Sequence, residues 1–214
     1  MFIEQPPLLY RMLYPRTIWR IRNEEEKTIY LTFDDGPIPE ITPWVLDVLD
    51  TYNVKATFFC VGDNVRKHPD VYAEVLRRGH QVGNHTFNHM QGWKHRTRTF
   101  VKNAKKASEY ISSNLFRPPH GHMRLPQTGA LLLAGYQVVM WDVVTRDYSK
   151  RLTPERVLEN VKKYARDGSV IVFHDSLKAE KNMKYALPKA IEWLLSEGYH
   201  FRVISDDILT RQGG

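Results

Sequence analysis

The sequence predicts an α/β fold built on a mainly parallel sheet. Short β-rich runs alternate with longer stretches of helical period, residues that start and stop helices bracket those stretches, and no repeat or Gly/Ser/Pro-rich linker divides the chain. The 214 residues suit one domain, and 42% hydrophobic with 26% charged residues excludes a disordered chain.

Residues 1–26 read as an extension packed on a domain of residues 27–214, with the polar Asn23–Lys27 stretch as the boundary. Glu4, Pro6, Pro7, Arg11, Pro15, Arg16 and Arg20 interrupt its apolar character, which argues against a transmembrane helix or a signal peptide and leaves the compartment open. Contact with a membrane interface through Trp19 and the arginines is a secondary expectation. The first strand is expected over Thr28–Phe33, then a helix over Pro43–Tyr52 with Thr42 as N-cap, and a strand over Ala56–Val61. A helix over Pro69–Arg78 stops at Gly79 before a strand over Gln81–Gly83. Thr97–Ser113 carries Ala104, Ala107 and Ile111 on one helical face, and Leu125–Ala134 stops at Gly135. A strand over Gln137–Asp142, a helix over Pro154–Ala165 capped by Thr153, and a strand over Ser169–Phe173 follow. The last helix, Tyr185–Ser196, stops at Gly198 ahead of a strand over Phe201–Val203. This alternation suits a barrel-like or an open parallel sheet.

The formal net charge is +7, but the clusters Lys94–Arg98, Lys102–Lys106 and Lys162–Lys163 are interleaved with other residues, as on solvated helix faces. With no nucleic-acid motif beside them, no nucleic-acid partner is expected. The lone Cys60 excludes an internal disulfide framework and a thiolate metal cluster, and its apolar surroundings predict a buried, inert thiol. The chain is taken as a monomer.

In parallel α/β folds chemistry sits on the loops after the strands, because the strands fix position while the loops vary. The first strand runs into Asp34-Asp35-Gly36-Pro37. Adjacent residues leaving a strand point in different directions, so one carboxylate can bind a metal while its neighbour acts as a base; a solvated acidic turn is the competing reading. His85-Thr86-Phe87-Asn88-His89 holds two imidazoles four residues apart, which on a helix or turn share a face at about 6 Å. With Asp35 they make a two-His, one-carboxylate set with open positions. His174, at the end of an apolar strand, suits either a structural histidine or a general acid. Asp147 is placed to orient it, and Arg117 offers a charge able to keep a carboxylate ionised.

The ordered strings Thr32-Phe33-Asp34-Asp35-Gly36, His85-Thr86-Phe87-Asn88-His89, Arg117-Pro118-Pro119-His120-Gly121, Asp147 and His174 resemble the polysaccharide deacetylases of carbohydrate esterase family 4, the NodB-homology family. Ala56-Thr57-Phe58-Phe59 and Gly79–His85 add smaller echoes, and the resemblance runs from about Lys27 to about Leu209. It implies an irregular (β/α) barrel with fewer than the eight strands of a regular one. It further implies that Asp34 is the catalytic base and that Asp35, His85 and His89 hold a divalent metal, usually zinc, with cobalt as an alternative. Arg117 would keep Asp34 ionised, His174 would be the general acid tuned by Asp147, and the His120 backbone N–H would hold the oxyanion. The implied substrate is an acetylated glycan containing N-acetylglucosamine: a chito-oligosaccharide, peptidoglycan or an exopolysaccharide. A same-fold hydrolase of small amides or imides and a catalytically inactive glycan-binding domain are the alternatives.

Two motifs depart from the family pattern. Val144 stands where the fourth motif has its first carboxylate, with Tyr148 in place of that motif's tryptophan wall, and His120 replaces a tyrosine in the third. Both bear on substrate preference more than on chemistry.

Overall fold

The computed structural model describes residues 4–22 and 26–205. β1 (Thr28–Asp34) is buried along its whole length. A strand covered on both faces takes no polar side chain without a partner, and Thr32 meets that condition by donating its hydroxyl to the Ile171 carbonyl at 2.8 Å. On one side of β1 lie, in order, β2 (Thr57–Cys60), β3 (Gln81–Asn84), β4 (Leu115–Phe116) and β5 (Gln137–Val138). On the other lie β7 (Val170–His174) and then β6 (Val143–Val144). The path thus runs through seven strands, while β8 (His200–Phe201) pairs only with the start of β1, and every named pair is parallel. The register sets Asp34 beside both Phe59 and His174, and Asn84 beside Phe116, so the loops after β1, β3, β4 and β7 leave from one edge.

Alternation along β1 divides the interior in two. Ile29, Leu31 and Phe33 pack under α2 (Thr42–Thr51), α7 (Pro154–Tyr164) and α8 (Glu180–Ser196) through Val45, Leu49, Val157, Val161, Leu187 and Ile191. Tyr30 faces the other way, into a cluster with Tyr14, Trp19, Ile21, Phe59, Phe116 and Trp141. The chain before β1, which includes the short α1 (Leu8–Met12), joins the two ends of the sheet path. Ile18 N–H donates to Val138 at 2.8 Å and Met140 N–H to Ile18 at 2.6 Å, while Val144 N–H donates to Glu4 at 2.7 Å. Trp19 is therefore buried, at 8% exposure, and Arg11 pairs with Asp142 at 2.5 Å; the expected placement of Trp19 at a membrane interface is corrected. Among the described residues no helix is long and apolar enough to cross a membrane.

Several elements differ from expectation for visible reasons. The single strand expected over Gln137–Asp142 breaks after Val138, because Met140 pairs with the N-terminal segment and the Val139 and Met140 carbonyls accept from the Arg117 guanidinium. The chain re-enters the sheet at Val143, at the opposite end of its path. Thr42 lies inside α2 rather than capping it: its hydroxyl accepts from Ile38 N–H and donates to Asp175 at 2.6 Å. Thr153 does cap α7, accepting from Arg156 N–H. α8 starts at Glu180 rather than Tyr185, since Asn182 and Met183 already find buried partners. The helix expected to reach Ser113 ends at Ala107 as α5 (Thr97–Ala107). The helices over Pro69–Arg77 (α4) and Leu125–Leu133 (α6) end one residue early, and the two-residue β4 and the six-residue α3 (Gly62–Lys67) are too short to show a period. Residues Asn23–Glu25 of the expected boundary and the end of the resemblance at Leu209 lie outside the described residues.

Candidate active site

The loops from the carboxyl edge of the sheet meet around one cavity of about 220 Å³. Asp34, Asp35, His85, His89, His120, Tyr148 and His174 line it, with Gly121, Trp141, Val144, Val172 and Lys178. Seven of the residues singled out in the sequence therefore share one space, while Arg117 and Asp147 stand fully buried behind it.

Asp35 takes a left-handed conformation, with φ at 87°. Such a backbone costs a non-glycine residue about 1–3 kcal/mol unless its surroundings impose it. Here Asn64 donates its amide to the Asp35 carbonyl at 2.8 Å, and Gly36 N–H donates to the Asp175 carboxyl at 3.0 Å. A Cβ on Gly36 would lie 1.9 Å from that carboxyl, so the turn beside the aspartates requires glycine. Burial pushes Asp175 up to about 8, against the bonds from Thr42 and Gly36 that favour its charged form.

The two histidines of the 85–89 segment converge on a curled loop, the turn-like rather than the helical form of the arrangement that their spacing suggested. Thr86 and His89 are left-handed, with φ of 66° and 55°. Asn84 accepts from Thr86 N–H, Asn103 accepts from Phe87 N–H, and the first two N–H groups of α3 donate to the Thr86 and Phe87 carbonyls. These bonds curl the loop so that both rings point inward, their centroids 5.1 Å apart.

His85 donates Nδ1–H to the Arg117 carbonyl at 2.8 Å, which leaves Nε2 unprotonated and facing the cavity. From Asp35 Oδ1 it is 3.8 Å to His85 Nε2 and 3.2 Å to His89 Nε2, and one donor atom from each of the three residues lies within 4.8 Å of the others. Tetrahedral zinc with bonds near 2.1 Å needs donors about 3.4 Å apart, so these three fit one ion with small adjustments. Burial pushes His85 down to about 4, the neutral form a metal requires. Burial alone would raise Asp35, but the hydrogen bond from His89 and the electrostatic influence of the neighbouring His174, His85 and His89 outweigh it and hold the carboxylate well below its ordinary range.

Asp34 stands beside this set, its Oδ2 4.0 Å from His85 Nε2. Its Oδ1 accepts from Arg117 Nη1 at 2.7 Å. Arg117 is 0% exposed and also donates to Thr32 Oγ1, Val139 O and Met140 O, so one side chain ties β1, β4 and the segment after β5 to the aspartate. Its own carbonyl orients His85, which couples the aspartate and the histidine through a single residue.

His174 enters from β7 and bonds through Nδ1 to Asp147 Oδ1 at 2.8 Å, while its backbone N–H donates to the other carboxyl oxygen at 2.7 Å. Burial lowers its pKa, but the buried Asp147 charge and hydrogen bond, with Asp35 and Asp34 behind them, prevail and push it up to about 9. Tyr148 meets the ring edge-on at 4.9 Å. Across the cavity His120 is left-handed at φ 59°, and its ring lies 4.8 Å from that of His89. Among the described residues the His120 N–H has no acceptor.

Trp141, Val172 and Lys178 were not legible as site residues, whereas Gly121 and Val144, which line the cavity with them, belong to the third and fourth motifs. Gly121 is left-handed, and a Cβ there would lie 1.9 Å from Trp141, so the third-motif glycine makes room for the indole. Trp141 in turn packs edge-on against Trp19 at 6.3 Å. Cys60 is buried, and burial pushes its thiol well up, in keeping with an inert core residue.

Residues 21–139 match the family model described as polysaccharide deacetylase. Over 195 residues the chain is 35% identical to a peptidoglycan-N-acetylglucosamine deacetylase of Bacillus cereus, covering 88% of this chain and 91% of that protein. It is also 35% identical over 159 residues to a chitooligosaccharide deacetylase of Rhizobium leguminosarum bv. trifolii, covering 71% and 73%. The structure of Bacillus subtilis PdaA, a family 4 carbohydrate esterase, superposes with a TM-score of 0.80 at 28% identity, covering 97% of this chain and 91% of that one.

Proposed function

Because the chain belongs to the polysaccharide deacetylase family, a family of metal-dependent hydrolases, we propose that it removes N-acetyl groups from glycans containing N-acetylglucosamine, with zinc held by Asp35, His85 and His89. The reading rests above all on the Asp34 carboxylate lying beside the candidate ligand set while His174 faces the same cavity from the neighbouring strand. A divalent metal bound there supplies Lewis-acid polarisation and lowers the pKa of water.

The residues of the chain divide the remaining work. Asp34, positioned by Arg117, takes the proton of the attacking water. His120 lines the cavity and, among the described residues, its N–H has no acceptor, so it is the donor proposed for the acetyl oxygen as that gains negative charge; a donor of that kind contributes roughly 3 kcal/mol to the transition state. His174 carries a proton at neutral pH and delivers it to the departing amine. Asp147, bonded to Nδ1, leaves Nε2 as the donating atom. An amide needs this proton because an unprotonated amine leaves poorly. Residues 1–26 are the proposed extension of the domain 27–214, and Trp19 within it braces the cavity wall by packing on Trp141.

The test is acetate release from penta-N-acetylchitopentaose by purified protein, with chelator-treated enzyme and added zinc or cobalt in parallel. Release that disappears with chelator and returns with metal is expected. Metal-loaded enzyme that hydrolyses small amides but releases no acetate from the glycan refutes the substrate assignment.

A further inference from the structure

One exposed aromatic ring near the cavity is braced far more firmly than an idle surface side chain. Trp93 is 49% exposed, yet its indole stacks flat on His122, with centroids 4.1 Å apart and planes within 4°. Its Nε1–H donates to the Met123 carbonyl at 2.6 Å, and Arg124 donates to its own carbonyl at 2.6 Å. The preceding Gly92 is packed so closely that a Cβ would lie 2.5 Å from the His122 carbonyl, and buried Gln127 donates to the carbonyls of Gly92 and His95. The loop that presents Trp93 is thus clamped to the third-motif loop on both sides of the indole.

The clamp joins Trp93 to the catalytic cavity. The ring of His89 lies 4.8 Å from that of His120, which lies 6.2 Å from that of His122, on which Trp93 stacks. His89 and His120 line the cavity, so a continuous series of rings leads out from it and ends on a flat indole. The carbon-bound hydrogens on a pyranose face complement the negative face of an aromatic ring, and a platform held rigid before binding loses little entropy on contact.

We infer that Trp93, stacked on His122, forms an outer sugar subsite that holds a pyranose ring of the glycan beyond the residue being deacetylated. The subsite rests on the glycan reading above and makes the enzyme favour oligomers over single sugars. Its ligand is a neutral hexopyranose face rather than an acetyl group.

The test compares wild type, Trp93→Ala, Trp93→Phe and His122→Ala on penta-N-acetylchitopentaose and on 4-nitrophenyl acetate, which has no second ring, with thermal melts to verify folding. Trp93→Ala is expected to raise KM for the pentaose about tenfold with kcat nearly unchanged and to leave the small ester untouched. Trp93→Phe should recover most of the loss, and His122→Ala should lie between wild type and Trp93→Ala. Unchanged pentaose KM in Trp93→Ala, or equal losses on both substrates, overturns the subsite while leaving the deacetylase reading intact. Wild-type enzyme that cleaves the ester but not the pentaose overturns the glycan reading and the subsite with it.

Discussion

Replacing Asp147 with asparagine keeps its shape and removes its charge, which isolates what holds His174 protonated. The His174 pKa is pushed up to about 9 against the opposing effect of burial, so losing the charge lets it fall to 6.5 or below. At pH 8 a group of pKa about 9 is roughly 90% protonated, and one of pKa about 6.5 only about 3%, a loss of about 30-fold in the active acid form. The amide also replaces one carboxyl oxygen with a donor. Oδ1 accepts from His174 Nδ1 and Tyr148 N–H while Oδ2 accepts from His174 N–H, so either orientation of the asparagine sets NH₂ against a donor. That adds about 1–3 kcal/mol of destabilisation. The assay is kcat/KM for the pentaose from pH 5 to 10. In wild type activity requires the protonated ring and falls as pH rises through about 9; in Asp147→Asn the alkaline fall should move to 6.5 or lower. A raised folded pKa gives stability that is fully present below the unfolded value and lost as pH rises through the folded one. The melting temperature advantage of wild type over Asp147→Asn should accordingly shrink between about pH 6.5 and 9. An alkaline limb that stays near pH 9 in the variant would show that Asp147 does not set this proton.

Asp34→Asn should keep stoichiometric zinc by metal analysis while losing about 10²–10⁴-fold in kcat, whereas His85→Ala should lose both metal and turnover; near wild-type rates in Asp34→Asn would remove it as the base. His174→Ala should slow amide hydrolysis much more than hydrolysis of 4-nitrophenyl acetate, whose phenoxide leaves without a proton, and equal losses would count against the acid role. Trp19→Ala should cost about 3–5 kcal/mol in denaturant unfolding, since it empties a buried site against Tyr10 and Trp141, and should raise KM as the cavity wall loosens. Gly121→Ala should abolish activity even where the protein folds, because the new methyl displaces Trp141 from the cavity wall.

The α/β alternation, most helix limits and the chemistry-bearing strings were legible because each depends on near neighbours in the chain. A strand flanked by turn residues, a capping threonine such as Thr153, or an Asp-Asp pair at a strand end is written in consecutive letters. The strings marked Asp34, Asp35, His85, His89 and His174 by order and spacing, and the tertiary structure brings all five to one cavity. Only tertiary structure decided how they meet. Spacing left the 85–89 segment helical or turn-like; it is a curled loop whose rings converge through left-handed residues pinned by Asn84, Asn103 and α3, and no local pattern encodes those partners. Thr42 had the sequence of a cap but is drawn instead to Asp175, which lies 133 positions away. Trp141 and Trp93 could not be singled out, because an aromatic residue becomes a cavity wall or an exposed platform only through what stands behind it. Here those supports, Trp19 and His122, come from distant parts of the chain. Residue type and spacing determined which chemistry this chain carries, and long-range packing determined the geometry in which it can act, because backbone propensity is local while burial and hydrogen-bond partnership are not.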